Sequence, residues 1–176
     1  ARFLRRASQR GLAKGTLTLP LEEVWSQALD ERLEGSALVL DGRVILGAED
    51  GHLRAFELRT GKQLYAHDLG APIAASPSKV GDVLVIGDMS GVVHGRDPKT
   101  GKALWRYATG GKVLGSATAF VSEGKATGVI GSYDAKIHAI DVETGKASWV
   151  YTTDNYVHGS PAISSGLVVV GGCDGV

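Results

Sequence analysis

Cysteine is almost missing from this chain: Cys173 is the single one in 176 residues. One cysteine forms no internal disulfide, so no disulfide framework holds the fold, and the redox compartment stays open. Asparagine is equally scarce, with Asn155 alone. A chain so poor in amides has little with which to build an oxygen-rich calcium cage. No apolar run is long enough to span a membrane, and no signal-peptide pattern is present. The chain starts at Ala1 rather than Met, and we expect an upstream segment, a signal or an anchor, ahead of it. Net charge is also absent, with 19 basic and 19 acidic residues.

What is abundant is glycine. The 25 glycines are roughly twice the usual share, without the three-residue period of collagen. The apolar content is an ordinary 43%. Glycine-rich and apolar, with little helical patterning, points to many short strands joined by tight turns. The charges are unevenly spread. Arg2, Arg5, Arg6, Arg10 and Lys14 precede any acid, so a basic leader over residues 1–19 joins a mildly acidic body. Such a leader can touch nucleic acid or anionic lipid. With only Phe3 interleaved, we expect a flexible, solvated leader and no nucleic-acid partner.

A repeat dominates the remainder. Thr60-Gly61-Lys62, Thr100-Gly101-Lys102 and Thr144-Gly145-Lys146 are spaced 40 and 44 residues apart. An aromatic follows each glycine by four: Tyr65, Trp105 and Trp149, with Trp25 a period earlier. Ahead of each lies a glycine-bounded turn, at 47–51, 87–91 and 131–135, with a fourth copy at 171–175. Ahead of that stands a small residue followed by serine: Gly35-Ser36, Ala75-Ser76, Gly115-Ser116 and Gly159-Ser160. The longer interval is explained by an insertion near residues 121–126. Within one period the chain reads as four strands, for example 36–40, 43–46, 52–58 and 62–67. Asp-Gly and Thr-Gly turns supply the positive φ that short hairpins need. A meander of four strands cannot bury both of its faces alone, whereas radial stacking of such sheets does.

These markers resemble the PQQ-like, quinoprotein-type β-propeller repeat family. The resemblance covers residues 25–176. It implies an all-β propeller of four-stranded antiparallel blades, with about four repeats present as a partial arc or part of a larger ring. One blade contributes a strand near residue 25. Blades follow at about 36–68, 76–108 and 116–150, and a partial one at 160–176. In the family the aromatic of the last strand docks on the neighbouring blade beside the Thr-Gly turn. Tyr65 departs from the usual tryptophan, so a weaker interface is expected there. An open arc exposes blade faces and strand edges. Three arrangements would cover them: a longer propeller chain, closure of the N-terminal strand on the C-terminal blade within one ring or a homodimer, or packing on another protein.

The resemblance also raises quinoprotein dehydrogenase chemistry, which in that family needs calcium ligands, a general-base aspartate and in some members a Cys-Cys pair. No such pair stands here. Asp154-Asn155 is the one weak calcium candidate, in a loop between blades. His94 and His138 share one repeat position, with Arg54 as counterpart, as structural residues do. His52 and His67 read as surface residues. Gly110-Gly111-Lys112 lacks the pattern and the helix of a phosphate loop. We therefore expect no catalytic, metal or cofactor residues and no cofactor. The structural set is Trp25, Tyr65, Trp105, Trp149, Gly61, Gly101 and Gly145. The blade-to-blade segments 69–75, 108–115 and 151–159 vary most. The last holds Tyr151, Asp154, Asn155, Tyr156 and His158, a composition suited to recognition. The expected function is a non-catalytic propeller scaffold or protein-interaction module of the bacterial periplasm or cell envelope. It is similar in character to the propeller lipoproteins of outer-membrane β-barrel assembly. Protein partners, and self-association through open blade edges, are expected; membrane contact would come only through an upstream anchor or the leader. The alternative is a fragment of a PQQ- and calcium-dependent dehydrogenase with its catalytic residues outside this chain.

Overall fold

The computed structural model describes residues 19–122 and 124–173. The expected basic leader falls outside the described residues except for Leu19. Asp174, Gly175 and Val176, the end of the fourth turn copy, fall outside as well. No helix occurs among the described residues, and no helix is long and apolar enough to cross a membrane.

Among the described residues fourteen strands form three four-stranded sheets and one two-stranded sheet, all antiparallel meanders. The first blade is β1 (Leu38–Leu40), β2 (Arg43–Gly47), β3 (His52–Glu57) and β4 (Gln63–Asp68). The second is β5 (Ser78–Val80), β6 (Val83–Gly87), β7 (Val92–Arg96) and β8 (Ala103–Ala108). The third is β9 (Thr118–Ser122), β10 (Lys125–Ser132), β11 (Lys136–Asp141) and β12 (Ala147–Thr152). Then come β13 (Ala162–Ser164) and β14 (Leu167–Val169). The extra residues of the third repeat lengthen the β9–β10 hairpin, which pairs out to Ser122 and Lys125.

The expected strand around Trp25 is absent: among the described residues, 21–29 form no ladder. Trp25 nevertheless sits where a fourth-strand aromatic belongs. It lies against Gly61, tilts over Phe56 at 6.4 Å between centroids, and donates its ring N–H to the Leu58 carbonyl at 2.9 Å.

Three separate apolar cores lie between the sheets. Leu38, Ile45, Leu53 and Ile73 of the first blade meet Leu84 and Ile86 of β6. The opposite face of β6 places Val83 and Val85 against Ile130, Ile140 and Val142 of the third blade. In turn Val129, Ile137 and Ala139 face Ile163 and Val170. The two-residue period of a strand thus feeds two cores at once, which is why β6 is an unbroken apolar run.

The Thr-Gly turn joins neighbouring blades. In blades two and three an aspartate opens it: the Oδ1 atom of Asp97 accepts the N–H groups of Lys99 and Thr100, and that of Asp141 accepts those of Glu143 and Thr144. The glycine then donates to the aspartate carbonyl at 2.8 Å in both. Gly61, Gly101 and Gly145 have φ of 70°, 70° and 69°, a region that costs a side chain about 1–2 kcal/mol. Their bare faces also seat the preceding blade's aromatic. An added Cβ would lie 2.7 Å from Trp25, 2.7 Å from Tyr65 and 2.6 Å from Trp105 respectively. Each ring then reaches the carbonyl three residues before its glycine: Leu58, Pro98 and Val142 at 2.9, 3.3 and 2.7 Å. Tyr65 keeps the geometry with a longer bond, and burial pushes its hydroxyl up to about 12, so it remains a donor at neutral pH. His67, read from sequence as a surface residue, joins this contact by bonding the Thr100 carbonyl at 2.8 Å.

Trp105 therefore carries two separable contributions. Trp105→Phe keeps the ring and orphans the Val142 carbonyl, costing about 1 kcal/mol. Trp105→Ala also empties the seat, costing about 3–5 kcal/mol. Urea unfolding of the two variants beside the parent chain measures both steps.

Candidate interaction face

Beneath the turn that joins the second and third strands of each complete blade lies an acid–base pair. In the first blade Asp50 takes both guanidinium nitrogens of Arg54, and that hydrogen bonding holds its carboxyl down at about 2. In the second, Asp88 is wholly enclosed. Its Oδ1 atom accepts the Ser90 N–H and hydroxyl and the Val92 N–H, and Oδ2 bonds His94 Nε2 at 2.7 Å. Burial alone would raise its carboxyl, but these donors outweigh it and hold the group at about 2. In the third, His138 Nε2 bonds Asp134 at 3.1 Å. Burial opposes ionisation of Asp134 too, and the Gly110 N–H and His138 overcome it, so this carboxyl is also lowered.

The ionised carboxylate fixes the tautomer of His138. With Nε2–H donating to Asp134, Nδ1 is left to accept the Tyr107 hydroxyl at 3.0 Å from the preceding blade. Both ring nitrogens are engaged and the residue is buried. His94 has no exposed surface at all, and its Nδ1 atom has no partner. The residue of the first blade equivalent to Tyr107 is His67, which is turned to Thr100 instead. A general base must reach the proton it takes, and neither ring faces solvent.

Gly110-Gly111-Lys112 belongs to this network. The Gly110 N–H donates to Asp134, Ser132 and Thr109 hydroxyls meet at 3.0 Å, and the Gly111 carbonyl accepts from both. A Cβ on Gly111 would press on the backbone of Tyr133 and Asp134 at 2.6 Å. The segment is a clasp between blades.

The small-residue–serine markers converge on the propeller axis. The Ser36 N–H donates to the Ser76 hydroxyl and the Ser116 N–H to the Ser160 hydroxyl, both at 2.8 Å. Around them opens a concavity of about 360 Å³, lined by Glu34, Ser76, Ser116, Ser160 and His158 among others. The first strands of neighbouring blades meet beside it, β5 with β9 and β9 with β13, so this mouth opens at the inner end of the blades.

His158 links this mouth to the predicted recognition loop. Its Nδ1 atom bonds the Tyr133 hydroxyl at 2.6 Å. Tyr133 in turn stacks on Tyr156, centroids 5.1 Å apart and planes 8° from parallel. Tyr156 is 51% exposed. Asn155 is held locally: its amide nitrogen donates to the Cys173 carbonyl and its oxygen accepts the Tyr156 N–H. Asp154 is exposed and stands apart. Tyr151 does not join the cluster; it lies on β12, 63% exposed, lining a different groove. Tyr133 was not singled out from sequence. It lies 25 residues before His158, one blade earlier, and only its place in a turn marked it.

The Asp88 cage generates an acid dependence. Its carboxyl has an ordinary value of 3.8 and a folded value of about 2. Above about pH 5 both states are ionised and the full contribution, about 2 kcal/mol, is present. It is lost as pH falls from about 4 through 2, where the folded carboxyl protonates. Thermal unfolding at pH 7, 4, 3 and 2 tests this. Asp88→Asn is expected to be less stable at pH 7 and to show a shallower loss below pH 4.

Over residues 22–132 the chain matches the family model described as outer membrane protein assembly factor BamB. It is 30% identical over 108 residues to quinoprotein alcohol dehydrogenase PedE of Pseudomonas putida, a stretch covering 59% of this chain and 17% of that protein. Among solved structures, BamB from Moraxella catarrhalis superposes with a TM-score of 0.72 at 24% identity, covering 84% of this chain and 49% of that one. The computationally designed Ika4 protein superposes with a TM-score of 0.70 at 21% identity, covering 89% and 96%. The chain thus spans about half of the BamB chain and a small part of the dehydrogenase. With its blades, docked aromatics and a family match across most of its length, the chain belongs to the PQQ-like β-propeller repeat family described by outer membrane protein assembly factor BamB.

Proposed function

We propose that this chain is part of a non-catalytic propeller of the bacterial cell envelope, and that the face around its channel mouth binds protein partners. The carrying observation is the Tyr133–Tyr156–His158 cluster beside the converging serines. Two stacked tyrosines and a hydrogen-bonded imidazole form a rigid, half-exposed surface that loses little entropy on binding. Family membership supports an envelope location and an assembly role of this kind.

The similarity to PedE favours a second reading, a quinoprotein dehydrogenase segment. That reading places the catalytic and calcium-ligating residues outside this chain, whose own residues offer no calcium cage. Calcium takes six to eight oxygen ligands. At the channel mouth Glu34 is the one carboxylate in the lining, and the Asn155 amide is committed to Cys173 and Tyr156. Among the described residues no three His, Cys, Asp or Glu side chains are placed to hold a metal.

The test uses the intact envelope protein. A photo-crosslinking residue in place of Tyr156 identifies the partner, whose affinity for the parent chain and for the Tyr156→Ala/His158→Ala double variant is then measured. We expect at least a roughly tenfold loss, the size of a modest hot spot. An unchanged affinity rejects the surface. Saturable, calcium-dependent binding of pyrroloquinoline quinone to the intact protein supports the dehydrogenase reading instead.

A further inference from the structure

A buried arginine stands without a counter-charge between the first and second blades, both of them complete. Arg96 ends β7 and is only 8% exposed. Among the described residues no acidic side chain pairs with it. Its Nη1 atom makes one long bond, 3.4 Å, to the Gly101 carbonyl, and its enclosed Nε–H has no partner. Phe56 and Ile140 hold the same place in the first and third blades, and both are buried and apolar. Arg96 faces the first blade, because Leu84, opposite it on β6, packs in the core shared with that blade. A second arginine enters this seam from the other side. Arg43 of β2 lies on the same face as Ile45, which belongs to that core. It donates to the Asp41 carbonyl at 3.0 Å, and its buried Nε–H is also unpaired. In the next seam the places of Arg43 and Arg96 are taken by Val83 and Ile140, both members of one apolar core.

Arg106 adds a third cation. It lies on β8 opposite His94, and Arg96 is two residues beyond His94 on the same face. The two arginines are therefore diagonal neighbours across the ladder, within reach of each other's long side chains. Burial first, and then the charge of Arg106, lowers the Arg96 guanidinium from its usual value. Arg106 is exposed and makes no ion pair among the described residues. The adjacent acids are committed elsewhere. Asp97 Oδ1 accepts the Lys99 and Thr100 N–H groups and the Thr100 hydroxyl, and Asp88 is closed around Ser90 and His94. A buried charge left unpaired is strongly unfavourable, and a guanidinium fork matches the oxygens of a planar or tetrahedral oxyanion two at a time. We infer that Arg96 and Arg106 form a binding site for a phosphate-type oxyanion at the outer rim of this seam, either free phosphate or the phosphoryl end of a larger molecule. Two guanidinium charges balance a dianion, which separates phosphate from chloride or a lone carboxylate. Arg106 makes the exposed contact and Arg96 the enclosed one. Arg96 stands at the Thr-Gly end of β7, so the test does not depend on the channel-mouth reading.

The intact protein is prepared with isotope-labelled arginine, and the Arg96 Nε–H resonance is assigned with Arg96→Ile, the side chain its counterpart Ile140 already carries. Inorganic phosphate and glycerol phosphate are titrated at neutral pH and constant ionic strength, with chloride and acetate as controls. The Arg96 resonance is expected to shift saturably with phosphate, and Tm to rise by about 3 °C at saturation. Arg106→Ala, a change at an exposed position, is expected to weaken binding at least about tenfold. Arg96→Ile is expected to remove the Tm response while the protein stays folded, with a Tm in chloride no lower than that of the parent. A response to inorganic phosphate alone assigns a free-ion site, and a response to both compounds assigns a phosphoryl site. The proposal is overturned if phosphate moves the Arg96 resonance and Tm no more than chloride and acetate do, or if Arg106→Ala binds as the parent does.

Discussion

A flat ring lying across a left-handed glycine ties the Trp25 segment to the first blade, the first blade to the second and the second to the third, and most of the architecture hangs from that contact. The glycine serves twice: its φ closes the turn and its missing side chain makes room for the ring. The ring serves twice as well, covering apolar surface and giving its one polar hydrogen to a turn carbonyl. In each complete blade the ladder slips beside this aromatic, at Ala55, Gly95 and Ala139. Such bulges sharpen local twist and re-aim a side chain, here toward the adjacent blade. Once the outer strands are pinned, the inner faces are left to fill with Val, Ile and Leu, which they do almost without polar interruption.

On the side of the connecting loops the adhesive is polar. A carboxylate sits under each complete blade's turn and gathers N–H groups together with one basic side chain. In the third blade the network crosses the blade boundary through Gly110 and Tyr107. In the second the corresponding position on the neighbour is His67, which bonds elsewhere, and His94 Nδ1 is left unpaired. The two boundaries therefore differ in their polar bonding although both have apolar cores. The Tyr133–Tyr156–His158 cluster shares the third blade's turn with Asp134.

Most of the fold was legible because the repeat offers several markers in register. Thr-Gly-Lys, the following aromatic and the small-residue–serine pair each mark one point of a blade, and together they place its strands to within two residues. The acid–base pairs were harder to read. The carboxylate stands three residues after the turn's first glycine in Asp50 and Asp134 but one residue after it in Asp88, so the column loses its signature although the pairing survives. Tyr133 was invisible for another reason: its partners Tyr156 and His158 come from the next connection, and adjacency between blades leaves no trace in local spacing. The segment around Trp25 shows the reverse case. Its aromatic lies against Gly61, but a strand is defined by its neighbours, and the marker alone could not supply one.

The three cores share no side chains across a blade, each being a seam between two sheets. Cohesion in such an assembly is a nearest-neighbour property, like links in a chain rather than the single nucleus of a globule. The tip of the elongated β9–β10 arm, at Val121 and Ser122, is exposed and contributes no side chain to any seam, so length at a hairpin tip can vary while the seams stay constant.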